Sequence, residues 1–233
     1  ADFKKGMSAY EAGDYATALK EWRPLAEKGN TDAQYGLGLI YDSGKGVPQD
    51  NAEAAQWYRK AAELGLASAQ SNLGVLYANG QGVKQDFKEA ARWYRRAAEQ
   101  EYAIAQFNLG VLYEKGHGLK QNYTEAVHWY RRAAEKGETD AQLNLGLLYA
   151  KGQGIPQSYA KAVRYYRMAA EQGDADAQNS LGLLYAKGQG APQDLVQAHL
   201  WLSLAAAQGD KSATRERDLL VKKMTPVQLT QAQ

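Results

Sequence analysis

Cysteine is absent, and only three histidines are present, at positions 117, 128 and 199. The first absence removes disulfides, thiolate nucleophiles and thiolate metal sites together, without choosing a cellular compartment. The second leaves little for acid–base or metal chemistry, because no carboxylate or second histidine stands at ligand spacing from His117, His128 or His199. An excess of charge is missing as well: 28 Lys and Arg against 26 Asp and Glu leave a net charge of +2. So small a balance attracts no polyanion by itself, and no nucleic-acid partner is expected. Glycine or charge interrupts every apolar stretch before the roughly 18 residues that a bilayer crossing needs, so no transmembrane segment is expected. Phenylalanine is scarce, with 3 residues against 16 Tyr and 5 Trp. Such a bias suggests that tyrosine is placed at regular positions.

It is. The dipeptide Ala-Gln opens at Ala33, Ala69, Ala105, Ala141 and Ala177, a period of 36 residues, and Ala213 falls on the next beat. Each unit reads Leu-Gly-x-x-Tyr, then Gly-x-Gly, then a polar residue, then Ala, an aromatic pair and Ala-Ala. In the second unit these are Leu73-Gly74-Val75-Leu76-Tyr77, Gly80-Gln81-Gly82, Asp86, Ala90, Trp93-Tyr94 and Ala97-Ala98. Ala69, Leu73, Leu76 and Tyr77 lie on one helical stripe, so the first half of each unit predicts an amphipathic helix. Asp50, Asp86, Asn122, Ser158 and Asp194 predict N-caps for a second helix. Glu53, Glu89 and Glu125, three residues on, predict reciprocal capping boxes. That second helix is expected to end near Gly65, Gly137, Gly173 and Gly209, and Glu101 at the equivalent place predicts a looser turn. The mid-helix glycines, Gly74 among them, predict a close approach by Ala-Ala on a neighbouring helix.

No unit of this kind buries its apolar face alone, so the units must stack. The fold expected is an all-α solenoid of antiparallel helix pairs: five repeats over 33–212, a capping helix pair over 1–32, and capping helices over 213–233. The first cap has a shortened inter-helix loop at Gly13-Asp14-Tyr15. Thr225-Pro226 predicts the start of the last helix.

At the Leu-Gly-x-x-Tyr, Gly-x-Gly-Val and Trp-Tyr-Arg-x-Ala-Ala phrases, over about three quarters of the chain, the sequence resembles the Sel-one-like repeat (SLR) family, relatives of the tetratricopeptide repeat. Departures fall mainly in the fifth unit, where Leu202-Ser203 replace Tyr-Arg. The resemblance implies a right-handed superhelix whose first helices line a concave face, and a role as a scaffold or adaptor for other proteins. It implies no common reaction and no cofactor. Some secreted bacterial relatives are linked to β-lactam binding, but those are rich in disulfides.

Positions not needed for stacking are the candidates for recognition. Tyr35, Ser71, Phe107, Leu143 and Asn179 vary in chemistry inside a constant frame. Asn72, Asn108, Asn144 and Ser180 follow them as a polar ladder able to hydrogen-bond an extended peptide. The same side chains suit bracing of neighbouring turns, and the sequence leaves both readings open. Lys115 and Lys151, with Lys187, form a basic row that suits either an acidic segment or the negative end of a helix dipole. Arg59, Arg95, Arg131 and Arg167 recur on the second helices, and Glu63, Glu99, Glu135 and Glu171 four residues later are expected to neutralise them. The Gly-x-Gly loops lack the preceding strand and following Lys-Ser/Thr of a phosphate cradle.

The reading is a monomeric, non-enzymatic scaffold that binds a protein or extended peptide on its concave face, with no cofactor and no metal. The alternatives are an enzyme or binder acting on cell-wall or β-lactam compounds, and a structural spacer in an envelope assembly. The start Ala1-Asp2-Phe3, without Met, leads us to expect a periplasmic or secreted protein, with the cytoplasm as the alternative.

Overall fold

The computed structural model describes residues 1–232, and those residues form fourteen helices and no strand. They divide into two compact units, residues 1–121 and residues 122 onward, each described by itself. The first unit holds α1 (Phe3–Glu11), α2 (Tyr15–Glu27), α3 (Thr31–Ser43), α4 (Asn51–Glu63), α5 (Ala67–Asn79), α6 (Phe87–Glu99) and α7 (Ala103–Lys115). The second holds α8 (Tyr123–Glu135), α9 (Thr139–Lys151), α10 (Tyr159–Glu171), α11 (Ala175–Lys187), α12 (Leu195–Ala207), α13 (Lys211–Val221) and α14 (Pro226–Ala232). Within each unit, consecutive helices pack on one another from α1 to α7 and from α8 to α13, and α14 packs on α12.

The second-helix N-caps form. Asp50 Oδ1 accepts from Ala52 N and Glu53 N, Asp86, Asn122 and Asp194 cap α6, α8 and α12 in the same way, and Ser158 caps α10 through Lys161 N alone. The return half of the capping box does not form at Glu53 or Glu89. The Asp50 N–H is already given to the Tyr41 carbonyl at 2.9 Å, and the Asp86 N–H to Tyr77. Glu53 therefore turns to accept from Trp57 Nε1 at 2.9 Å, and Glu89 pairs with Arg92. The reciprocal arrangement occurs instead at the start of α14. There Gln228 N donates to Thr225 Oγ1 at 3.2 Å and Thr225 N to Gln228 Oε1 at 2.9 Å.

The turn at Glu101 is as tight as its glycine counterparts. Glu101 adopts φ +66°, and Tyr102 N reaches Ala97 O at 3.2 Å, as Leu66 N reaches Ala61 O at 3.1 Å. The mid-helix glycines also serve a different purpose from the one expected. A Cβ on Gly74 would lie 2.6 Å from Tyr94 Cε1, and one on Gly146 would lie 2.6 Å from Tyr166 Cε1. The space is filled by the tyrosine of the paired second helix rather than by an Ala-Ala surface.

A second kind of bond crosses the stack. The glutamine of each Ala-Gln pair is buried, and Gln70 Nε2 donates to the Ala62 carbonyl of the preceding helix at 3.1 Å. Gln34, Gln106, Gln142 and Gln178 repeat this bond. Gln70 Oε1 in turn accepts from Gln100 at 2.8 Å, thirty residues on, as Gln142 does from Gln172 and Gln178 from Gln208. At Gln34 the thirtieth residue on is Leu64, 59% exposed, and Gln34 Oε1 is left without a partner.

Burial holds the phenols of Tyr58 and Tyr94 far above the ordinary tyrosine range, and it pushes Tyr166 up to about 12. These groups ionise in the unfolded chain at about pH 10 but stay protonated in the folded one. Their contribution is therefore complete below pH 10 and is lost as pH rises through the folded values. A base titration followed by tyrosinate absorbance and far-UV circular dichroism should show the last tyrosines ionising together with helix loss. Complete ionisation ahead of any helix loss would contradict the burial of these rings.

Candidate functional site

In the first unit, Asn108, Val111, Leu112 and Lys115 on α7 form one wall of a groove of about 370 Å³. Asn79 at the end of α5, Phe87 and Tyr94 of α6, and His117 of the following loop also line it. The helical period brings Asn108 and Lys115, seven residues apart, to one face. The His117 ring lies 4.7 Å from that of Phe87, centroid to centroid. The groove thus offers a side-chain amide, a cation and an imidazole around an apolar strip. Phe107, half-buried on the same helix, is not part of its lining.

Other positions singled out in the sequence are placed differently. Tyr35 is half-buried with its ring 5.8 Å from that of Tyr58, and the Asn72 amide faces the hydroxyls of both. Asn72 is therefore engaged inside the stack. Ser71 is 1% exposed with no partner for its hydroxyl. A short side chain, where Phe107 and Leu143 reach halfway out, stays beneath the surface of its neighbours, so Ser71 presents nothing to a partner in this conformation. In the second unit, Leu143, Asn144, Asn179 and Ser180 are half-buried and Lys151 is exposed. Ser180 faces the hydroxyl of Tyr166, and Asn179 Oδ1 is buried without a partner.

The arginine ladder departs from expectation most clearly. Arg59 does not turn to Glu63. Its guanidinium donates to the Tyr77 hydroxyl at 2.6 Å, and Arg95 does the same to Tyr113 at 2.6 Å, always eighteen residues on. The pairs Arg23–Tyr41, Arg131–Tyr149 and Arg167–Tyr185 complete the series. The tyrosine fixes the guanidinium and ties each second helix to the next first helix, but it leaves the charge uncancelled. The chain itself carries a signal for this pairing. In the fifth repeat the arginine slot holds Ser203 and the slot eighteen residues later holds Val221, so both partners disappear together.

Among the described residues no group of three or more His, Asp or Glu is arranged to hold a metal ion. No helix among them is long and apolar enough to cross a membrane.

The repeat pattern matches the model of the Sel1 repeat at residues 31–66, 67–102, 103–138, 139–174 and 175–210. The chain is similar to a Sel1 repeat protein from Oxalobacter formigenes, 41% identical with a TM-score of 0.85, over 92% of this chain and 88% of that one. It is also similar to a protective antigen of uropathogenic Escherichia coli that displays an SLR fold. There the identity is 33% and the TM-score 0.88, over 100% of this chain and 56% of that one. Over 52 residues, 22% of this chain, it is 42% identical to an exopolysaccharide production negative regulator of Rhizobium leguminosarum. The match spans only 20% of that regulator's length, and 19% of its counterpart from Rhizobium meliloti. Five consecutive matches, two solved relatives of the same helical architecture and the bonds that join one repeat to the next converge on one assignment: the chain belongs to the Sel1 repeat family.

Proposed function

We propose that this protein is a non-enzymatic scaffold that holds an extended protein segment in the groove beside α7. Sel1 repeat proteins generally serve as protein-interaction scaffolds. The observation that carries the finer reading is the meeting of Asn108, Val111 and Lys115 in one groove of about 370 Å³. An amide that both donates and accepts can follow a peptide backbone without reading its side chains. The apolar strip at Val111 and Leu112 takes an alternate side chain, and Lys115 at the α7 end favours a carboxylate. In the second unit Lys151 is the counterpart of Lys115.

Selection of displayed random peptides on the full chain, followed by binding to Asn108→Ala/Lys115→Ala, tests the assignment. Peptides held by the wild type should be lost by the double variant, while its melting temperature stays within a few degrees of the wild type. Equal binding by the two proteins would remove the groove beside α7 from the function.

A further inference from the structure

Lys88, Arg92 and Arg96 on α6 take no part in the bonds that join the repeats, and none of the cations of this helix lines the groove beside α7. At the four corresponding positions, α4 carries Ala52, Gln56, Arg59 and Lys60, and α12 carries Val196, Leu200, Ser203 and Leu204. On α6 all four are basic: Lys88, Arg92, Arg95 and Arg96. Arg92 is paired with Glu89 at 2.8 Å. The other three keep their charge. Arg95 is held by the neutral Tyr113 hydroxyl, Arg96 lies 4.7 Å over the Trp93 ring, and Lys88 is exposed without an ion pair. These cations rim a groove of about 440 Å³ whose floor is Ala91, Gly118 and Leu119 and whose lining includes a single carboxylate, Glu99.

An aliphatic floor inside a basic rim complements a chain that alternates apolar and acidic side chains. Nucleic acid fits less well, because bases bind single-strand surfaces by stacking on aromatic rings, and the Trp93 ring is already covered by Arg96. We propose that this groove docks an acidic protein segment, with an apolar side chain on Ala91 and Leu119 and carboxylates beside it on Lys88, Arg95 and Arg96. The site is separate from the groove beside α7, and the two together let one chain hold two segments.

Anisotropy titration of the full chain with a fluorescein-labelled peptide of alternating Asp, Glu and Leu tests this. Lys88→Gln/Arg96→Gln should weaken binding about tenfold or more, because the charges removed lie on the groove rim while the fold is untouched. Replacing the peptide's leucines by serine should weaken it to a similar extent, and Asn108→Ala/Lys115→Ala should change nothing. The proposal is overturned if the wild type does not bind the peptide or if the Lys88/Arg96 variant binds it equally. It is also overturned if the Asn108/Lys115 variant loses binding, which would move the peptide to the other groove. Equal affinity for the serine peptide or for an oligothymidylate would reduce the interaction to unspecific charge attraction and would overturn it as well.

Discussion

Gly118→Ala should lower the stability of the first unit by about 3 kcal/mol or more, whereas Gly65→Ala should cost only about 1 to 2 kcal/mol. Both residues have positive φ, +69° and +98°, so both substitutions carry the penalty of a left-handed side chain. Only at Gly118 does the new Cβ strike backbone. It would lie 2.6 Å from Lys88 N and 2.6 Å from Phe87 O, whereas nothing lies within 4 Å of the same atom at Gly65. The loop after α7 rests there on the first turn of α6. A helix end fixed by its own cap cannot yield as a flexible side chain would. Denaturant melts of the two variants measure the difference directly, and equal costs would show that the loop lifts off α6 without penalty.

Trp22→Ala is expected to cost about 3 to 5 kcal/mol, the range for deleting a buried large aromatic. Trp22 is 1% exposed and fills the space between α1 and α3. A Cβ on Gly6 would lie 2.6 Å from its Cδ1, and one on Gly36 would lie 2.6 Å from its Cε3. Phe3 stacks on it at 5.8 Å, and its Nε1 donates to the Phe3 carbonyl at 3.2 Å. Stacked repeats contact only their neighbours, so the damage should stay local. Hydrogen exchange should show α1 and α2 losing protection while α5 to α7 retain theirs. A uniform loss across all seven helices would mean that the first unit unfolds as one cooperative body.

The helices, their order and the second-helix caps were legible because they follow from signals a few residues apart: the apolar stripe at Ala69, Leu73 and Leu76, and the cap at Asp86. What occupies the space over Gly74, where Arg95 points and what Gln70 bonds were not legible, because their partners stand on other helices, eight to thirty residues away. The charge rule that paired Arg95 with Glu99 applies to an isolated helix, and a neighbouring tyrosine displaced it. Half of the candidate site was visible in the same sense. Asn108 and Lys115 share a helix face by spacing alone. The burial of Ser71 and the engagement of Asn72 by two tyrosines depend on side-chain size and on the next repeat, which position along a period does not encode.

The Arg–Tyr bonds, at a constant offset of eighteen residues, each join one repeat to the next, whereas the Gln–Gln bonds, at thirty, close within a single repeat. Copying one whole 36-residue segment in tandem therefore reproduces every such bond at its old offset and breaks none, since the added copy carries both the donor its successor needs and the acceptor its predecessor needs. Residues inserted between an arginine and its tyrosine would leave the guanidinium facing the wrong side chain, whereas the loop between the two helices of a repeat lies outside that interval, and the short turn between α1 and α2 leaves Arg23–Tyr41 at the same offset. Lengthening by whole repeats therefore preserves every arginine–tyrosine tie, and the loop inside a repeat is the place where shorter changes of length leave those ties intact.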